Sequence, residues 1–323
     1  MLRTVSAAAL SLALTASAGA QDFPTRPVTM VIPFAAGGPQ DTIGRVIAQR
    51  ASEILHQQVV IENVGGAGGT TGGLRVKNAA PDGYTFVLAS VGTHAQSQTL
   101  YKKPPYNAAE DFTPVAYLGD TPIALIVRKD LPVNNLKEFV DYAKKNHDKM
   151  TYGSAGAGSA THLGCVVLTM ALGVDITHVP YRGTGPAMQD LQGGRIDFLC
   201  EIINTAKPQI DGGTVKGLAI MSKQRAPVLP NLATAEEQGL PGLEAYTWSA
   251  ILMPKGAPEN AVKKISDAMS EALDTPVVRE RLETSGVNIP PKDRRGPEFM
   301  GQFLRSEIKK WEEPIKKSGA QID

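Results

Sequence analysis

The sequence has 323 residues, enough for two domains, and its 33 Lys plus Arg nearly balance its 32 Asp plus Glu. With a formal net charge of +1 and no basic run, the chain lacks the electrostatic footprint of a nucleic-acid-binding protein, so DNA and RNA are excluded as partners. No apolar stretch is long enough to span a membrane, so we expect a protein that is not itself membrane-spanning.

The first twenty residues have the organisation of a secretory signal peptide. Arg3 supplies a basic start, residues 7–16 form an apolar run, and Ala18, Gly19 and Ala20 provide the small residues of a cleavage site. We therefore expect cleavage after Ala20 and export of the mature chain.

A strand, a glycine turn and a helix open the mature chain. Apolar residues alternate over 28–32, Gly37 and Gly38 follow, and an amphipathic run begins at Thr42. The N–H groups of a helix start attract anions, and a glycine lets a ligand approach the backbone closely. The stretch 31–41 is therefore predicted to bind a small carboxylate, with Gly37 at the close approach.

The rest of the chain alternates predicted strands and helices, which indicates α/β lobes with mostly parallel sheets. The first half is expected to contain strands at 58–62 and 84–90, a glycine-rich turn into a helix at 65–73, a strand from 111, and a crossing between lobes at 123–127. In the second half, strands are expected at 150–153, 176–180, 196–199 and 246–253, and a return crossing between the lobes at 215–221. Helices are expected at 136–146, 186–191, from 205, and at 259–273, 276–285 and 297–317. A turn at 154–159 is expected to lead into a further helix that ends near 170. The predicted domains are the signal peptide at 1–20, a first lobe at 21–124 plus 222–323, and a second lobe at 125–221.

Glycine turns join several of these strands to helices, and their spacing does not fit nucleotide binding. The dinucleotide fingerprint needs a glycine at its sixth position, where two of these turns have Thr71 and Thr161. No phosphate loop with a lysine is present either. The turn at 65–73 is equally consistent with a tight strand-to-helix corner of no functional meaning.

Polar residues distinguish the other two turns. They are Gln40, Asp41 and Thr42 at the first helix start and Ser154, Ser159 and Thr161 at its counterpart in the second lobe. Hydroxyls and backbone N–H groups at two facing helix starts can hold the two ends of a small anion, which favours a dicarboxylate. A carboxylate at Asp41 would repel that anion, so helix capping is its alternative role.

Several other side chains have two interpretations. Ser154 misses the G-x-S-x-G nucleophile elbow by one residue, which argues against a catalytic serine. His94, at the C-terminal end of a strand, either donates to a carboxylate or faces solvent. Tyr246 and Trp248 point to one face of a strand, where core packing is expected for Trp248 and the Tyr246 hydroxyl can reach the cleft.

The cysteines and histidines show no metal-ligand spacing, so neither a metal nor a cofactor is expected. Cys165 and Cys200 form either one disulfide after export or two buried thiols. The charged run at 307–317 is expected to be a solvated helix face.

An ordered series of motifs from about Phe23 to the C-terminus resembles the tripartite tricarboxylate transporter substrate-binding proteins, the Bug or TctC-like family. The motifs are Asp22-Phe23-Pro24-Thr25-Arg26-Pro27, the stretch 31–41, Glu62-Asn63 before the glycine turn, Asp82-Gly83-Tyr84-Thr85, Tyr152-Gly153-Ser154, His178-Val179-Pro180-Tyr181-Arg182-Gly183 and Leu191-Gln192-Gly193-Gly194-Arg195-Ile196-Asp197. The resemblance implies a type II-like periplasmic-binding-protein fold of two lobes. It also implies a monomeric, non-enzymatic protein of the periplasm that closes on a solute and delivers it to membrane permease subunits.

The resemblance also implies where the ligand, usually a carboxylate, lies. It carries over to Phe34, Ala35, Gly37, Gly38, Gln40, Asp41 and Thr42 on one side of the cleft and to Ser154, Ser159, Ala160 and Thr161 on the other. The chain departs from the family at Cys200-Glu201-Ile202, where Phe-Asp-Asn is frequent, and at Val64, where Arg or Lys with Pro is usual. We therefore expect the choice between an aliphatic and an aromatic dicarboxylate to rest with Ser90, His94, Glu201, Asn204 and Tyr246.

Two other classes of function remain open at this point. One is an exported hydrolase that uses Ser154 or Ser159, and the other is a sensor component that delivers the ligand to a receptor.

Overall fold

The computed structural model describes residues 23–318 and 321. The predicted signal peptide lies outside them. The strands of the described chain are β1 (Val28–Ile32), β2 (Val59–Asn63), β3 (Thr85–Ser90), β4 (Phe112–Arg128), β5 (Thr151–Ser154), β6 (Thr177–Pro180), β7 (Phe198–Ile202), β8 (Val215–Ile220) and β9 (Tyr246–Pro254). Its helices are α1 (Pro39–Leu55), α2 (Thr70–Lys77), α3 (Ser97–Leu100), α4 (Leu136–Asn146), α5 (Ala160–Leu172), α6 (Thr184–Gln192), α7 (Ile203–Asp211), α8 (Glu259–Asp274), α9 (Pro276–Thr284) and α10 (Pro297–Ser318).

One long strand, β4, belongs to both sheets of the molecule. Its first part pairs with β9 and completes sheet 1, in the order β2-β1-β3-β9-β4. Its second part lies between β8 and β7 and completes sheet 2, in the order β8-β4-β7-β5-β6. Register shifts at 114/116 and 117/119 add local twist, which lets one strand leave the first sheet and enter the second. The predicted two-lobe α/β fold is confirmed.

Each sheet combines parallel and antiparallel pairs. In sheet 1, β1 pairs in parallel with β2 and β3, while β9 is antiparallel to β3 and β4. In sheet 2, β5 pairs in parallel with β6 and β7, while β4 is antiparallel to β7 and β8. Helical crossovers explain the parallel pairs, and the strands that run between the lobes introduce the reversed direction.

The return path between the lobes differs from the simple strand expected at 215–221. Strand β8 stays in sheet 2, and the chain comes back to sheet 1 through the segment that ends at Ala245. There the Ile123 N–H donates to Ala245 O at 3.3 Å, the Ala245 N–H donates to Met221 O at 2.8 Å, and the Met221 N–H donates to Ile123 O at 2.8 Å. These bonds join the outgoing and returning chains. The predicted lobe boundaries remain a prediction.

Helix α1 carries the apolar face that the sequence predicts. Ile43, Ile47 and Ala51 are at most 2% exposed and pack in one core cluster with Ile32 and Leu88 of sheet 1. Burying each isoleucine contributes about 1.5–3 kcal/mol. This packing fixes the start of α1 at the edge of the sheet, at Pro39 rather than at Thr42, since proline suits the first helical turn.

The charged run on α10 is a solvated face, as expected, at Lys309, Lys310, Glu312, Glu313 and Lys316, and Glu307 is the exception. Glu307 is 4% exposed and accepts hydrogen bonds from the Tyr246 hydroxyl at 2.8 Å, from Trp248 Nε1 at 3.0 Å and from Trp311 Nε1 at 3.3 Å. Helix α10 therefore covers the face of β9 that carries the two aromatic residues.

The two cysteines are buried thiols that lie side by side. Both are free and 0% exposed, and the backbone N–H of Cys200 donates to Cys165 Sγ at 3.1 Å. Burial and the neighbouring sulfur raise the pKa of the Cys200 thiol, which keeps it protonated. Of the two interpretations that the sequence allowed, the structure has the thiols.

Candidate ligand-binding site

A narrow cavity lies between the two lobes, at the ends of strands from both sheets. It is lined by Phe34, Pro39, Gln40, Ser90, Ala155, Ser159, Ala160, Thr161, Thr184, Ile202 and Thr247. In this closed arrangement the free space is about 20 Å³, which is room for one water molecule. An adjoining groove of about 530 Å³ shares Thr184 with the cavity and is also lined by Gly37, Thr42, Glu201 and Asn204.

Four helices begin at this cavity. They are α1 at Pro39, α5 at Ala160, α6 at Thr184 and α7 after Ile202. The starts of α1, α6 and α7 have no side-chain cap, so their first N–H groups have no side-chain acceptor. Each helix start carries a partial positive charge, and four of them at one point create a favourable place for an anion.

Gln40 has a side-chain amide in this cavity with one hydrogen-bonding group unused. The residue is 2% exposed, and its Oε1 accepts a hydrogen bond from the Ser249 hydroxyl at 3.1 Å. Among the described residues, no partner is present for its Nε2. Because a buried N–H group without an acceptor is costly, this amide is ready to donate to a ligand.

Two hydroxyls face Gln40 from the other lobe. Ser159 Oγ accepts the His162 N–H at 3.2 Å, Thr161 Oγ1 accepts the Ala155 N–H at 3.0 Å, and the two hydroxyl oxygens lie 3.1 Å apart. Each hydroxyl has one proton, and only one of the two protons can lie between the oxygens. The other remains to be donated to a ligand.

Asp41 holds the glycine turn and does not offer its carboxylate to a ligand. Its Oδ2 accepts the Gly37 N–H at 3.0 Å and Arg45 Nε at 2.8 Å, and its Oδ1 accepts Asn63 Nδ2 at 2.9 Å. Burial opposes ionisation, but the donors Arg45, Gly37 and Asn63 outweigh it and lower the pKa of Asp41. The repulsion expected at Asp41 is therefore offset by Arg45, and the Gly37 N–H is already used within the protein.

Glycines bring the two lobes into backbone contact beside the cavity. A methyl group added at Gly65 would lie 2.5 Å from Arg182 O, and one at Gly68 would lie 2.1 Å from Ala157 O. At Gly37, the predicted close approach, an added methyl meets nothing within 4 Å. Gly65 and Gly68 therefore serve lobe closure, which the sequence did not reveal because their neighbours belong to the other lobe. Gly69, Gly72 and Gly73 instead fit tightly against residues of their own lobe.

Ala35 and Gly38 contribute through the backbone rather than by lining the cavity. The Ala35 N–H donates to Arg182 O at 2.9 Å, which joins the two lobes directly. Gly38 precedes the first residue of α1, and its carbonyl accepts the N–H of Thr42 at 3.0 Å. Both residues set the position of the helix start that faces the cavity.

Glu201 and Asn204 line the groove as buried acceptors. Thr184 Oγ1 donates to Glu201 Oε1 at 2.9 Å, and the Thr205 hydroxyl donates to the same oxygen. Asn204 Nδ2 donates to Pro39 O at 3.0 Å, another bond between the lobes. Burial raises the pKa of Glu201 to about 7, even though both threonine hydroxyls favour its charged form.

Tyr246 does not reach the cavity, contrary to expectation, because its side chain lies under α10 with its hydroxyl on Glu307. His94 is also a correction: it is 0% exposed, 2.7 Å from Thr93 Oγ1 through Nδ1, and stacked on Tyr106. It faces neither the cavity nor solvent. Both aromatic rings belong to the packed core around the site.

Ser154 lies behind the cavity wall. Its Oγ is 2.7 Å from His178 Nε2 and accepts the Gly156 N–H at 3.0 Å. Because Tyr152 pairs with His178 between β5 and β6, this contact ties the end of one parallel strand to its neighbour. The structure brings a serine and a histidine together that the spacing did not connect.

Thr184 and Thr247 line the cavity without having been predicted. The sequence predicts the start of this helix at 186, whereas α6 begins at Thr184, which lines the cavity. Thr247 and Ser249 occupy the face of β9 opposite Trp248. The alternation of side chains along a strand could have predicted that these two residues share a face.

A pH prediction follows from three histidines near this site. Burial lowers the pKa of His94 and of His162 to about 3, the latter also through His178, and burial lowers the pKa of His178 to about 4. In the unfolded chain histidines take up protons near pH 6.5, whereas these three stay neutral in the folded chain. The folded state is therefore fully stable with respect to these groups above pH 6.5 and loses stability as the pH falls below it. Glu201 acts in the opposite sense, because its raised pKa gives stability that is lost as the pH rises through about 7.

All three histidines are neutral in the folded chain between pH 6.5 and 5, whereas Glu201 holds one proton, so the unfolded chain binds up to about two more protons than the folded one as the pH approaches 5. We expect the free energy of unfolding to fall by about 2 kcal/mol per pH unit between pH 6.5 and 5. Chemical denaturation across this range measures the slope, and His94→Gln should flatten it. A wild-type stability that is independent of pH would contradict the neutral, buried histidines.

In the part of the chain that the structure describes, no helix is long and apolar enough to cross a membrane, and no group of three or more His, Cys, Asp or Glu is arranged to hold a metal ion.

The chain is similar to several proteins of solved structure. The chain is similar to the structure of the periplasmic binding protein BugD, with 40% identity, a TM-score of 0.90, and coverage of 93% of this chain and 99% of that one. It is similar to MatC from Rhodopseudomonas palustris with bound malate, with 42% identity, a TM-score of 0.88, and coverage of 91% and 100%. It is also similar to an R. palustris protein with adipate, with 33% identity, a TM-score of 0.87, and coverage of 92% and 98%.

The family model described as the tripartite tricarboxylate transporter family receptor matches residues 43–320. That match includes the lobe-closing glycines, both hydroxyls and the two buried acceptors. The chain therefore belongs to the TctC family of tripartite tricarboxylate transporter receptors, which are periplasmic solute-binding proteins.

Proposed function

We propose that this protein captures a small dicarboxylate in the periplasm by closing its two lobes and delivers it to the permease of a tripartite tricarboxylate transporter. The observation that carries the proposal is the convergence of four helix starts on one cavity that also holds the unused amide of Gln40. The relatives with malate and with adipate support a carboxylate. Delivery to a permease rests on membership of the family.

The cavity contains neutral donors and no lysine or arginine among its lining residues. Backbone N–H groups, the amide of Gln40 and a hydroxyl of Ser159 or Thr161 bind an anion without the desolvation penalty of a buried cation. Hydrogen bonds to a charged group contribute more than neutral ones. Tyr246 and His94 lie elsewhere, so Phe34 is the one aromatic residue among the described residues that line the cavity, and we expect aliphatic acids to bind.

Closure supplies the reversible step of capture. The donors come from both lobes, so a ligand makes all of its hydrogen bonds only when the lobes meet. The bonds between Ala35 and Arg182 and between Asn204 and Pro39 hold the lobes together from each side of the cavity. A diacid is larger than the cavity alone, which has about 20 Å³, so it extends past Thr184 into the adjoining groove of about 530 Å³.

Gln40→Leu tests the donor role directly. A thermal-shift screen of mono-, di- and tricarboxylates first identifies the tightest acid, because a ligand of the folded state raises its melting temperature. We expect the substitution to lower the affinity for that acid about tenfold or more, the effect of one hydrogen bond to a charged group. Calorimetry measures it, with Gln58→Leu at an exposed site as the matched control. Equal affinities of the two variants would contradict the assignment.

The contact between Ser154 and His178 favours a hydrolase as the second candidate. A serine hydroxyl that donates to a neutral histidine is the first requirement of nucleophilic catalysis. Ser154 is 0% exposed and does not line the cavity, which favours its role in joining β5 to β6. Incubation of the protein with ester and amide derivatives of the best acid distinguishes the two, since a solute-binding protein returns its ligand unchanged.

A further inference from the structure

Two residues that line the groove beside the cavity each have a buried acceptor oxygen. Glu201 is 0% exposed and Asn204 is 5% exposed, and both line the groove. Within the described residues, neither Glu201 Oε2 nor Asn204 Oδ1 has a hydrogen-bond partner. A buried polar atom without a partner is unusual in a folded protein and destabilises it.

The orientation of these two oxygens is fixed by their neighbours. Thr184 and Thr205 both donate to Glu201 Oε1, which leaves Oε2 as the free oxygen of that carboxylate. Asn204 Nδ2 donates to Pro39 O at 3.0 Å, which leaves Oδ1 as the free atom of that amide. Above pH 7, where Glu201 is ionised, both free atoms accept hydrogen bonds and would repel a carboxylate of a ligand.

The opposite end of the space has the opposite character. Gln40 Nε2 and a hydroxyl proton of Ser159 or Thr161 are donors, and they lie in the cavity where the helices begin. Thr184 lines both the cavity and the groove, so the donor end and the acceptor end adjoin at this residue. The site therefore distinguishes the two ends of a ligand.

We propose that Glu201 and Asn204 select acids that carry a hydrogen-bond donor, a hydroxyl or an ammonium group, next to the carboxylate that the cavity binds. This inference rests on the proposed function and adds the class of ligand to it. An unsubstituted diacid leaves Glu201 Oε2 and Asn204 Oδ1 without partners in the closed state. An acid with a donor group supplies the missing hydrogen bond. The protein therefore binds such an acid more tightly than the unsubstituted diacid.

The test compares succinate, malate and aspartate by calorimetry at pH 8 on the wild-type protein, on Glu201→Gln and on Asn204→Leu. The three acids share a four-carbon diacid skeleton and differ in the absence of a donor, a hydroxyl or an ammonium group. We expect the wild type to bind malate or aspartate about tenfold or more tightly than succinate. Whichever of the two is preferred identifies the donor group.

In both variants we expect this preference to shrink to about threefold or less, because an acceptor of the donor group is altered or removed. The ratio is informative even where Asn204→Leu weakens all three acids through the lost bond to Pro39. Thermal melts without ligand confirm that each variant is folded.

Equal binding of the three acids to the wild type would overturn the selection by Glu201 and Asn204 and leave carboxylate capture standing. A wild-type preference that persists in both variants would overturn it too, and would mean that other residues of the cleft select the donor group. No binding of any of the three acids would contradict the inference in this form. No binding of any acid in the wider carboxylate screen would contradict the proposed function as well.

Discussion

Gly65→Ala is expected to reduce the affinity for the best carboxylate by at least about tenfold while the protein stays folded. The added methyl group would lie 2.5 Å from Arg182 O and 3.2 Å from the Ala35 nitrogen, where the backbones of the two lobes meet. Backbone atoms cannot turn aside as a flexible side chain can, so the closed state loses stability relative to the open one. Affinity falls in proportion to the population of the closed state.

Gly296→Ala provides the matched control for this substitution, because a methyl group there meets nothing within 4 Å. Calorimetry gives the affinities and a thermal melt confirms the fold of both variants. If Gly65→Ala bound the acid as tightly as Gly296→Ala, the contact between Gly65 and Arg182 would not belong to the ligand-bound state.

Glu307→Ala is expected to lower the free energy of unfolding by about 3 kcal/mol or more. The substitution leaves the Tyr246 hydroxyl and the indole N–H groups of Trp248 and Trp311 without their shared acceptor. Each hydrogen bond to a charged group contributes about 1.5–3 kcal/mol, although such contributions are not additive. Urea denaturation followed by tryptophan fluorescence measures the loss.

Glu312→Ala, on the same helix, removes an exposed carboxylate paired with Lys316 and should leave the unfolding curve close to that of the wild type. Glu307→Gln should fall between the two, since it keeps the shape and loses the charge. A Glu307→Ala curve that overlays the Glu312→Ala curve would mean that α10 does not depend on this carboxylate.

The elements of the fold were predictable where one local pattern dominates. Helix α4 occupies 136–146 as predicted, because its apolar spacing and its Asn135 cap agree on the same boundaries. Helices α6 and α7 each begin two residues before their predicted positions. The difference matters because the starts of α6 and α7 both lie at the cavity. The cavity therefore has four helix starts, whereas the sequence predicted two.

The backbone of the site, with its strand-to-helix turns, was predictable from the sequence, whereas the side chains that line the cavity were harder to predict. Alternation along β9 separates Tyr246 and Trp248 from Thr247, but alternation does not say which face meets the ligand. That depends on α10, which lies about fifty residues further along the chain and covers the aromatic face through Glu307. The sequence analysis assigned the aromatic Tyr246 to the cleft, whereas the small polar residues of the opposite face of β9 lie on the side of the cavity.

Gly37 illustrates the same limit for glycines. Its φ of +81° explains the glycine by the turn itself, whereas Gly65 and Gly68 are required by the backbone of the other lobe. A contact between segments more than eighty residues apart leaves no local signal. The sequence therefore indicated an anion site at 31–41. The contacts through which the two lobes close beside that site became visible only in the structure.

The capture of a carboxylate between the lobes is tested most directly by titrating the protein with the acid that the thermal-shift screen identifies. We expect saturable binding of one acid molecule per chain, with a four- to six-carbon dicarboxylate among the tightest ligands and with the acid recovered unchanged. A calorimetric titration that detects no binding of any mono-, di- or tricarboxylate would contradict it.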